Sequence, residues 1–334
     1  MPSSSSPQSS FSTPLPRVAV VGCGRWGKNL VRTFHRLGAL AALCDTSPEA
    51  LVEALEVIPA EDPYPLTTTQ FNELLSSEQL DGIVIATPSH THAALASQAL
   101  AAGKHVYVEK PLATTTADVE ALMAQAQAAE LTLMVGHLLL YHPAVHRLKT
   151  LVAEGVLGDI HTITSTRLNF NAARPDASVL WDLAPHDISL MAEVLGRTPM
   201  TLDRVDGVAS GVDGKIDQAR MTLRFDGYPP ITGEVVNSWI YPVKAVQLSV
   251  IGSKAIALLD DAQPTNKLLI LDRATGETTY PEVLTIEPLL MECQHFLHCI
   301  QSGTLPNTSA AQGHLIVALL EEAHKRLAPA LTVV

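Results

Sequence analysis

The chain has few cysteines, and they form no recognisable pattern. Four occur in 334 residues, at positions 23, 44, 293 and 299, and their spacing fits neither a zinc site nor a disulfide framework. Histidine pairs at 142/146 and 295/298 have spacings compatible with a metal, but neither pair has a third ligand at a recognisable spacing. We therefore expect reduced thiols in a cytoplasmic setting and no metal site.

Positive charge is also scarce. Lys and Arg number 22 against 34 Asp and Glu, which gives a formal net charge of −12. This balance argues against nucleic acid or an anionic membrane as the main partner, whereas an anionic substrate would need locally clustered Arg or Lys. No apolar run reaches the roughly 18–20 residues of a transmembrane helix. Residues 1–16 lack the basic start and apolar centre of a signal peptide, so we expect a disordered Ser/Pro-rich tail.

The chain does have the length and apolar content for two domains, with 47% hydrophobic residues. From 17 to 136, strand-like and helix-like segments alternate, which predicts an α/β domain with a parallel sheet covered by helices. Between 200 and 285, β-rich runs are separated by turns such as Asp213-Gly214, and two helices follow at about 288–302 and 310–327. Residues 137–334 are therefore predicted as an α+β domain with a mostly antiparallel sheet.

A glycine-rich turn, residues 22–27, directly follows the apolar run 17–21. In this G-x-G-x-x-G pattern Gly22 would allow a tight turn, and Gly24 would let the backbone approach a pyrophosphate. Gly27 would let helix and strand pack closely. The pyrophosphate would lie at a helix N-terminus, where unpaired N–H groups favour an anion. The alternative is a purely structural turn, but both strands and the helix fall where a dinucleotide site needs them.

Asp45 ends the second apolar run, 23 positions after Gly22. At that place an acidic side chain accepts hydrogen bonds from the ribose hydroxyls and repels a 2′-phosphate. Asp45 could instead cap a helix, because residues 46–49 resemble a helix start. No arginine follows immediately to receive a phosphate, so NAD is favoured over NADP.

Lys110 lies in Glu109-Lys110-Pro111, which ends another strand-like segment. Ligands of open α/β sheets bind outside the carboxyl ends of the strands, so Lys110 should point toward the nicotinamide end of the cofactor. Pro111 restricts Lys110 to an extended backbone. The alternative is an ordinary surface lysine.

Asp182 and His186 lie four residues apart around Pro185. Proline is best tolerated in the first turn of a helix, so Asp182 is predicted just before or at a helix start. His186 would then lie at the positive end of the helix dipole, which disfavours its charged form. The two side chains can share one face and converge on a hydroxyl. Alternatively, Asp182 is a helix cap and His186 a core histidine.

Taken together, these motifs resemble the Gfo/Idh/MocA family of NAD(P)-dependent oxidoreductases. The likeness covers 17–328 and includes Ala86-Thr87-Pro88 with His92, Gly136-His137 and the late segment 287–296. It implies a Rossmann domain followed by an α+β domain whose large open sheet makes homo-oligomer contacts, as a dimer or tetramer. It also implies the catalytic trio Lys110, Asp182 and His186. The cofactor residues would be Gly22, Gly24, Arg25, Trp26, Gly27, Asp45, Thr87, Pro88, His92, Glu109 and Lys110.

Within the family, the motifs around residues 24–29, 136–137 and 182–187 are similar to nucleotide-sugar dehydrogenases. These oxidise the 3-hydroxyl of a UDP-N-acetylhexosamine or its uronate during surface-polysaccharide synthesis. The subgroup's arginine-containing loop corresponds to Arg167 and Arg174, which would bind substrate beside Lys110, Asp182 and His186. The loop 169–173 matches no known sugar specificity.

Several functional alternatives stay open. They are a cyclitol or free-sugar dehydrogenase, a cofactor-cycling glycosidase and a non-catalytic NAD-sensing regulator. The general base also stays open. His186 could take the hydroxyl proton while Lys110 stabilises the alkoxide, or Lys110 could be the base.

Overall fold

A computed structural model describes residues 14–170, 178–209, 215–227 and 229–327. The first half forms a six-stranded parallel sheet in the order β3-β2-β1-β4-β5-β6. Its strands are β1 Val18–Val21, β2 Leu40–Cys44, β3 Leu66–Thr68, β4 Gly82–Ile85, β5 His105–Glu109 and β6 Leu133–Gly136. The strand order reverses between β1 and β4, which opens a crevice at their carboxyl ends where ligands of such sheets bind.

Helices cover this sheet. They are α1 Gly27–Arg36, α2 Pro48–Leu55, α3 Phe71–Leu75, α4 His92–Ala101 and α5 Thr116–Ala128. Strands β1, β4 and β6 are buried at every position, which explains their continuous apolar sequences.

The second half is built on an eight-stranded sheet in the order β14-β13-β12-β11-β7-β10-β9-β8. Among the described strands of this sheet, only the β7–β10 pair is parallel. The strands are β7 Ile160–Phe170, β8 Pro199–Val208, β9 Gln218–Phe225, β10 Ile231–Ser238, β11 Ile240–Gly252, β12 Ala255–Asp260, β13 Leu268–Asp272 and β14 Thr278–Thr279. The accompanying helices are α6 Pro143–Ala153, α7 Val179–Leu195, α8 Pro288–Ser302 and α9 Ala310–Leu327.

Helix α8 returns to the first sheet. Its Phe296 ring makes edge-to-face contacts with Phe34 on α1 and Tyr107 on β5, at centroid distances of 6.5 and 5.8 Å. These aromatic pairs pack α8 against the sheet that carries the glycine turn.

The predicted fold class is confirmed, with a parallel α/β sheet followed by a mostly antiparallel one. The expected position of Pro185 in a first helical turn is wrong, because α7 begins at Val179 and Pro185 lies in its interior. An interior proline costs about 3 kcal/mol. Burial of Val179 and Leu180, both 0% exposed, offsets that cost. Within the described residues, no helix is both long and apolar enough to cross a bilayer.

Candidate active site

One large cleft runs over the carboxyl ends of β1, β2, β4 and β5 and continues to α7 and the second sheet. The glycine turn and Asp45 lie at one end of the cleft. Lys110 lies in the middle, facing α7. The far half is lined by Arg167, Ser178, Trp181, Asp182, His186, Lys215, Ile216, Trp239 and His324.

The three glycines of the turn occupy different environments. Gly22 has φ +91°, and a Cβ there would lie 2.7 Å from the carbonyl atoms of Ala86. A Cβ on Gly27 would lie 1.9 Å from the Gly22 carbonyl oxygen, so only glycine lets α1 start this close to the turn. Gly24 has nothing within 4 Å of its Cβ position and lines the cleft. The turn therefore presents bare backbone to a ligand.

Asp45 is fixed by the backbone around it. Its carboxylate accepts hydrogen bonds from the Cys23 amide at 2.7 Å and the Ser47 amide at 2.9 Å. Helix α2 is capped by Ser47, whose hydroxyl accepts from the Ala50 amide at 3.2 Å, and not by Asp45. A carboxylate has about four acceptor positions, so Asp45 keeps capacity for hydroxyl donors in the cleft.

Lys110 meets Asp182 across the cleft. Its Nζ donates to the Asp182 carbonyl oxygen at 2.8 Å and lies 3.2 Å from Asp182 Oδ1. Both side chains are mostly buried, at 15% and 14% exposure. Lys110 is thus not an ordinary surface lysine, because its side chain contacts a residue 72 positions away in the sequence.

His186 is half-buried beside this pair, and its Nδ1 has no hydrogen-bond partner among the described residues. Burial lowers the pKa of His186 well below its ordinary value, and the positive charges of Lys110 and Arg167 lower it further. The sequence had suggested the helix N-terminus as the cause. That explanation is wrong, since His186 lies about two turns inside α7.

Glu109 lines the cleft next to Lys110 and contacts two aromatic side chains. Its Oε1 accepts from Trp26 Nε1 at 2.5 Å and from the Tyr107 hydroxyl at 3.1 Å. Burial raises the pKa of Glu109. Gly136 makes room for this arrangement, because a Cβ there would lie 2.6 Å from the Tyr107 hydroxyl. Burial and the nearby Glu109 raise the pKa of the fully buried Glu292 well above its usual range.

The side chain of Arg167 is held by an ion pair with a buried carboxylate. Its Nε donates to Asp187 Oδ1 at 3.2 Å, and Asp187 is 0% exposed. Asp187 also accepts from Ser165 Oγ at 2.6 Å and from Asn237 Nδ2 at 2.7 Å. Arg167 therefore pairs with a buried carboxylate and not with a surface one, and it still lines the cleft. Arg174 lies outside the described residues.

Other predicted residues have structural partners. Thr87 and Pro88 line the cleft, and Thr87 Oγ1 lies 2.6 Å from Thr91 Oγ1. His92 is buried between two backbone carbonyls. Arg25 lines the cleft beside the turn. Of the histidine pairs, His146 contacts the Leu140 carbonyl and His295 the Tyr141 hydroxyl.

The sequence interpretation missed two groups at this site. One is the set of donors around Asp187. The other is His137, which is 2% exposed and has no partner for either ring nitrogen among the described residues. Burial and Lys110 lower the pKa of His137 to about 3. The apolar run before Gly136-His137 is a signal only for the strand that positions this histidine.

Comparison with known sequences agrees with this geometry. A profile described as an oxidoreductase family with an NAD-binding Rossmann fold matches residues 16–137, and the Gfo/Idh/MocA C-terminal domain profile matches 145–258. The chain belongs to the Gfo/Idh/MocA family of oxidoreductases. The resemblance inferred from its motifs is thereby confirmed.

Three relatives illustrate the family. The chain is 30% identical over 189 residues to a 4-carboxy-2-hydroxymuconate-6-semialdehyde dehydrogenase of Sphingobium, covering 54% of this chain and 59% of that enzyme. It is 31% identical over 210 residues to a UDP-N-acetylglucosamine 3-dehydrogenase of Acidithiobacillus ferrooxidans, covering 62% and 63%. It is 24% identical over 327 residues to a myo-inositol 2-dehydrogenase of Thermotoga maritima, covering 93% and 96%. The first two alignments thus span less than two thirds of those enzymes.

A solved structure extends the comparison to the whole fold. The structure of the Acidithiobacillus ferrooxidans enzyme aligns with a TM-score of 0.81 at 24% identity, covering 94% of this chain and 98% of that one. At this identity the likeness establishes the fold alone.

Proposed function

We propose that this chain is an NAD-dependent dehydrogenase that oxidises a sugar hydroxyl, with Lys110, Asp182 and His186 as its catalytic residues. The observation that carries the proposal is the contact of Lys110 with Asp182, at 2.8 and 3.2 Å, beside His186. This contact between Lys110 and Asp182 lies in the same cleft as the glycine turn. A hydroxyl bound there would be within reach of both the trio and a dinucleotide.

The cleft fits a dinucleotide. Gly24 leaves an open backbone surface at the start of α1, and Asp45 keeps acceptor capacity for ribose hydroxyls. The Asp45 carboxylate would meet a 2′-phosphate as a like charge, so NAD should bind more tightly than NADP. Calorimetric titration of both cofactors tests this, and Asp45→Ser should narrow the difference. Equal or tighter NADP binding would refute the preference.

The roles within the trio follow from their surroundings. Lys110 donates to two oxygens of Asp182, which holds its ammonium group in the cleft where it can stabilise a developing alkoxide. His186 has a lowered pKa and is therefore neutral and able to accept the hydroxyl proton. Asp182 orients Lys110. When bound, NAD supplies the hydride acceptor at C4 of its nicotinamide.

The proposed substrate is a UDP-N-acetylhexosamine or its uronate, oxidised at the 3-hydroxyl. Support comes from the similarity to the UDP-N-acetylglucosamine 3-dehydrogenase. Further support comes from Arg167 and Lys215, which line the far half of the cleft in a chain of net charge −12. Arginine fits a phosphate or carboxylate with two parallel hydrogen bonds. A cyclitol is the second candidate, because the myo-inositol 2-dehydrogenase aligns over 96% of its length.

A substrate screen with NAD tests this proposal. UDP-N-acetylhexosamines and their uronates should produce NADH, with much lower kcat/KM for free inositol or glucose. Arg167→Ala should raise the KM of the UDP-sugar and leave that of NAD unchanged, whereas the exposed control Arg204→Ala should change neither. If free inositol or glucose is oxidised as efficiently as any UDP-hexosamine, the cyclitol or free-sugar assignment replaces this one.

We further infer that the second sheet pairs with a copy of itself. Along β12, β13 and the last five residues of β11, alternate residues enter the core, and apolar residues among the others form a half-exposed strip. The strip consists of Ile251, Ile256, Leu258, Leu269 and Leu271. Burying such a strip in a homo-oligomer would be favourable, at roughly 25 cal/mol per Å² of apolar surface.

A further inference from the structure

His92 connects two loops that flank the cleft. Its Nδ1 lies 2.7 Å from the Pro111 carbonyl oxygen and its Nε2 lies 2.8 Å from the Thr87 carbonyl oxygen. The residue is 1% exposed at the start of α4. Both ring nitrogens are therefore occupied by the protein itself, which leaves neither for a ligand.

Each of the two loops carries part of the site. The Thr87 loop packs on the glycine turn, since a Cβ on Gly22 would lie 2.8 Å from the Thr87 amide nitrogen. Pro111 directly follows Lys110, whose Nζ reaches Asp182. A continuous series of contacts thus runs from the glycine turn through Thr87, His92 and Pro111 to Lys110.

We propose that His92 is a positioning residue that fixes Lys110 relative to the cofactor-binding turn, and that it does so through these two carbonyl oxygens and not through a hydrogen bond to the cofactor. Through the Thr87 carbonyl it holds the loop against the glycine turn. Through the Pro111 carbonyl it holds the segment that carries Lys110. The inference rests on the proposed roles of the turn and of Lys110. It replaces the direct cofactor contact suggested by the sequence.

The two hydrogen bonds of His92 can be tested separately by substitution. Carbonyl oxygens only accept hydrogen bonds, so a neutral ring donates to one of them and an imidazolium to both. Burial lowers the pKa of His92, and the two carbonyls oppose that effect. An amide side chain always carries N–H groups. Asparagine places its Nδ2 where the ring has Nδ1, toward Pro111, and glutamine places its Nε2 where the ring has Nε2, toward Thr87.

The test compares His92→Asn, His92→Gln and His92→Ala with His90→Ala, an exposed histidine two positions away that does not line the cleft. NAD affinity is measured by calorimetry, kcat with the sugar substrate, and amide hydrogen exchange in segments 86–91 and 109–115. Thermal midpoints identify any variant that fails to fold.

We expect His92→Ala to weaken NAD binding and lower kcat, each by about fivefold to tenfold. His92→Asn should recover kcat and the exchange protection of 109–115, and His92→Gln should recover NAD affinity and the protection of 86–91. His90→Ala should match the wild type.

Three results would overturn the proposal. They are wild-type NAD affinity and kcat in His92→Ala, amide variants that recover neither property, and a lowered thermal midpoint as the only change. If no sugar is oxidised, the proposed function fails, whereas NAD affinity and hydrogen exchange still decide the role of His92.

Discussion

Lys110 and His186 share one cleft, and their side chains have different surroundings. Lys110 donates to a carbonyl and a carboxylate oxygen of Asp182, whereas burial and neighbouring cations keep His186 neutral. This difference separates a cation that stabilises an alkoxide from a base that accepts a proton.

We therefore expect Lys110→Ala and His186→Ala each to lower kcat by roughly two orders of magnitude or more. NAD binding should survive both changes, because neither residue belongs to the glycine turn. Steady-state kinetics and calorimetric NAD titration measure the two effects. The exposed Lys149→Ala is a matched control for the lysine variant. Turnover close to wild type in either variant would remove that residue from the mechanism.

At the scale of elements, two glycines where the glycine turn meets α1 have different roles, one in packing and one in binding. Gly27 has the Gly22 carbonyl oxygen 1.9 Å from its Cβ position, whereas Gly24 has open space there. Gly27 is thus needed for the fold, and Gly24 is needed for a ligand that approaches the turn.

Gly27→Ala should destabilise the protein, with a thermal midpoint several degrees lower, because α1 must move away from β1. Gly24→Ala should keep the wild-type midpoint and weaken NAD binding by about tenfold or more, since its methyl group projects into the cofactor path. Thermal unfolding and NAD titration of the two variants side by side measure this. A destabilised Gly24→Ala, or one with unchanged NAD affinity, would contradict this division of roles.

The elements that could be predicted from sequence are those with a local signal. The glycine turn, the apolar parallel strands and helices α8 and α9 all follow from residue patterns. The start of α7 could not be predicted, because the tertiary burial of Val179 and Leu180 outweighs the proline signal at Pro185.

The site shows the same limit. Sequence motifs indicated Lys110, Asp182 and His186, but the partner of Arg167 depends on how α7 packs on β7 and β10. Likewise, no local pattern reveals that both nitrogens of His92 face carbonyls of separate loops.

At the scale of the molecule, buried titratable groups should give stability a maximum in pH. The folded-state pKa of six histidines is lowered, so the unfolded chain binds their protons more readily and stability falls as pH drops below 6.5. The pKa values of Glu109 and Glu292 are raised, so stability falls as pH rises above 4.5. Between pH 4.5 and 6.5 the six histidines outnumber the two carboxyls, so stability rises with pH there. Above 6.5 the contribution of the histidines is complete, and the effect of Glu292, whose pKa is raised well above its usual range, remains.

The thermal midpoint should therefore be highest between about pH 6 and 7 and decline on both sides. Glu292→Gln, which mimics the protonated acid, should reduce the decline on the alkaline side and steepen the rise between pH 5 and 6.5, because it removes a carboxyl that opposes the histidines there. Thermal unfolding without ligand at pH 5, 6.5 and 8.5, at constant ionic strength, measures both curves. A midpoint that keeps rising from pH 6.5 to 8.5 would contradict this account.

The assembly of the whole molecule gives a second expectation. If the apolar strip of the second sheet joins two copies, wild-type protein should elute as a dimer or tetramer in light-scattering chromatography. Leu258→Glu should shift it toward monomer because it buries an unpaired charge. Glu234→Gln, on β10 and outside the strip, is a control that removes charge. A monomeric wild type at micromolar concentration would rule out this interface.

The measurement that tests the central claim most directly follows the hydride itself. The protein is incubated with NAD and UDP-N-acetylglucosamine deuterated at carbon 3, or with the corresponding uronate, and the reduced cofactor is analysed by mass spectrometry. Our account predicts reduced NAD that carries the deuterium, and almost none with Lys110→Ala. Reduced cofactor without deuterium would place the oxidation at another carbon. No reduced cofactor with any UDP-amino sugar, despite tight NAD binding, would contradict the proposed function.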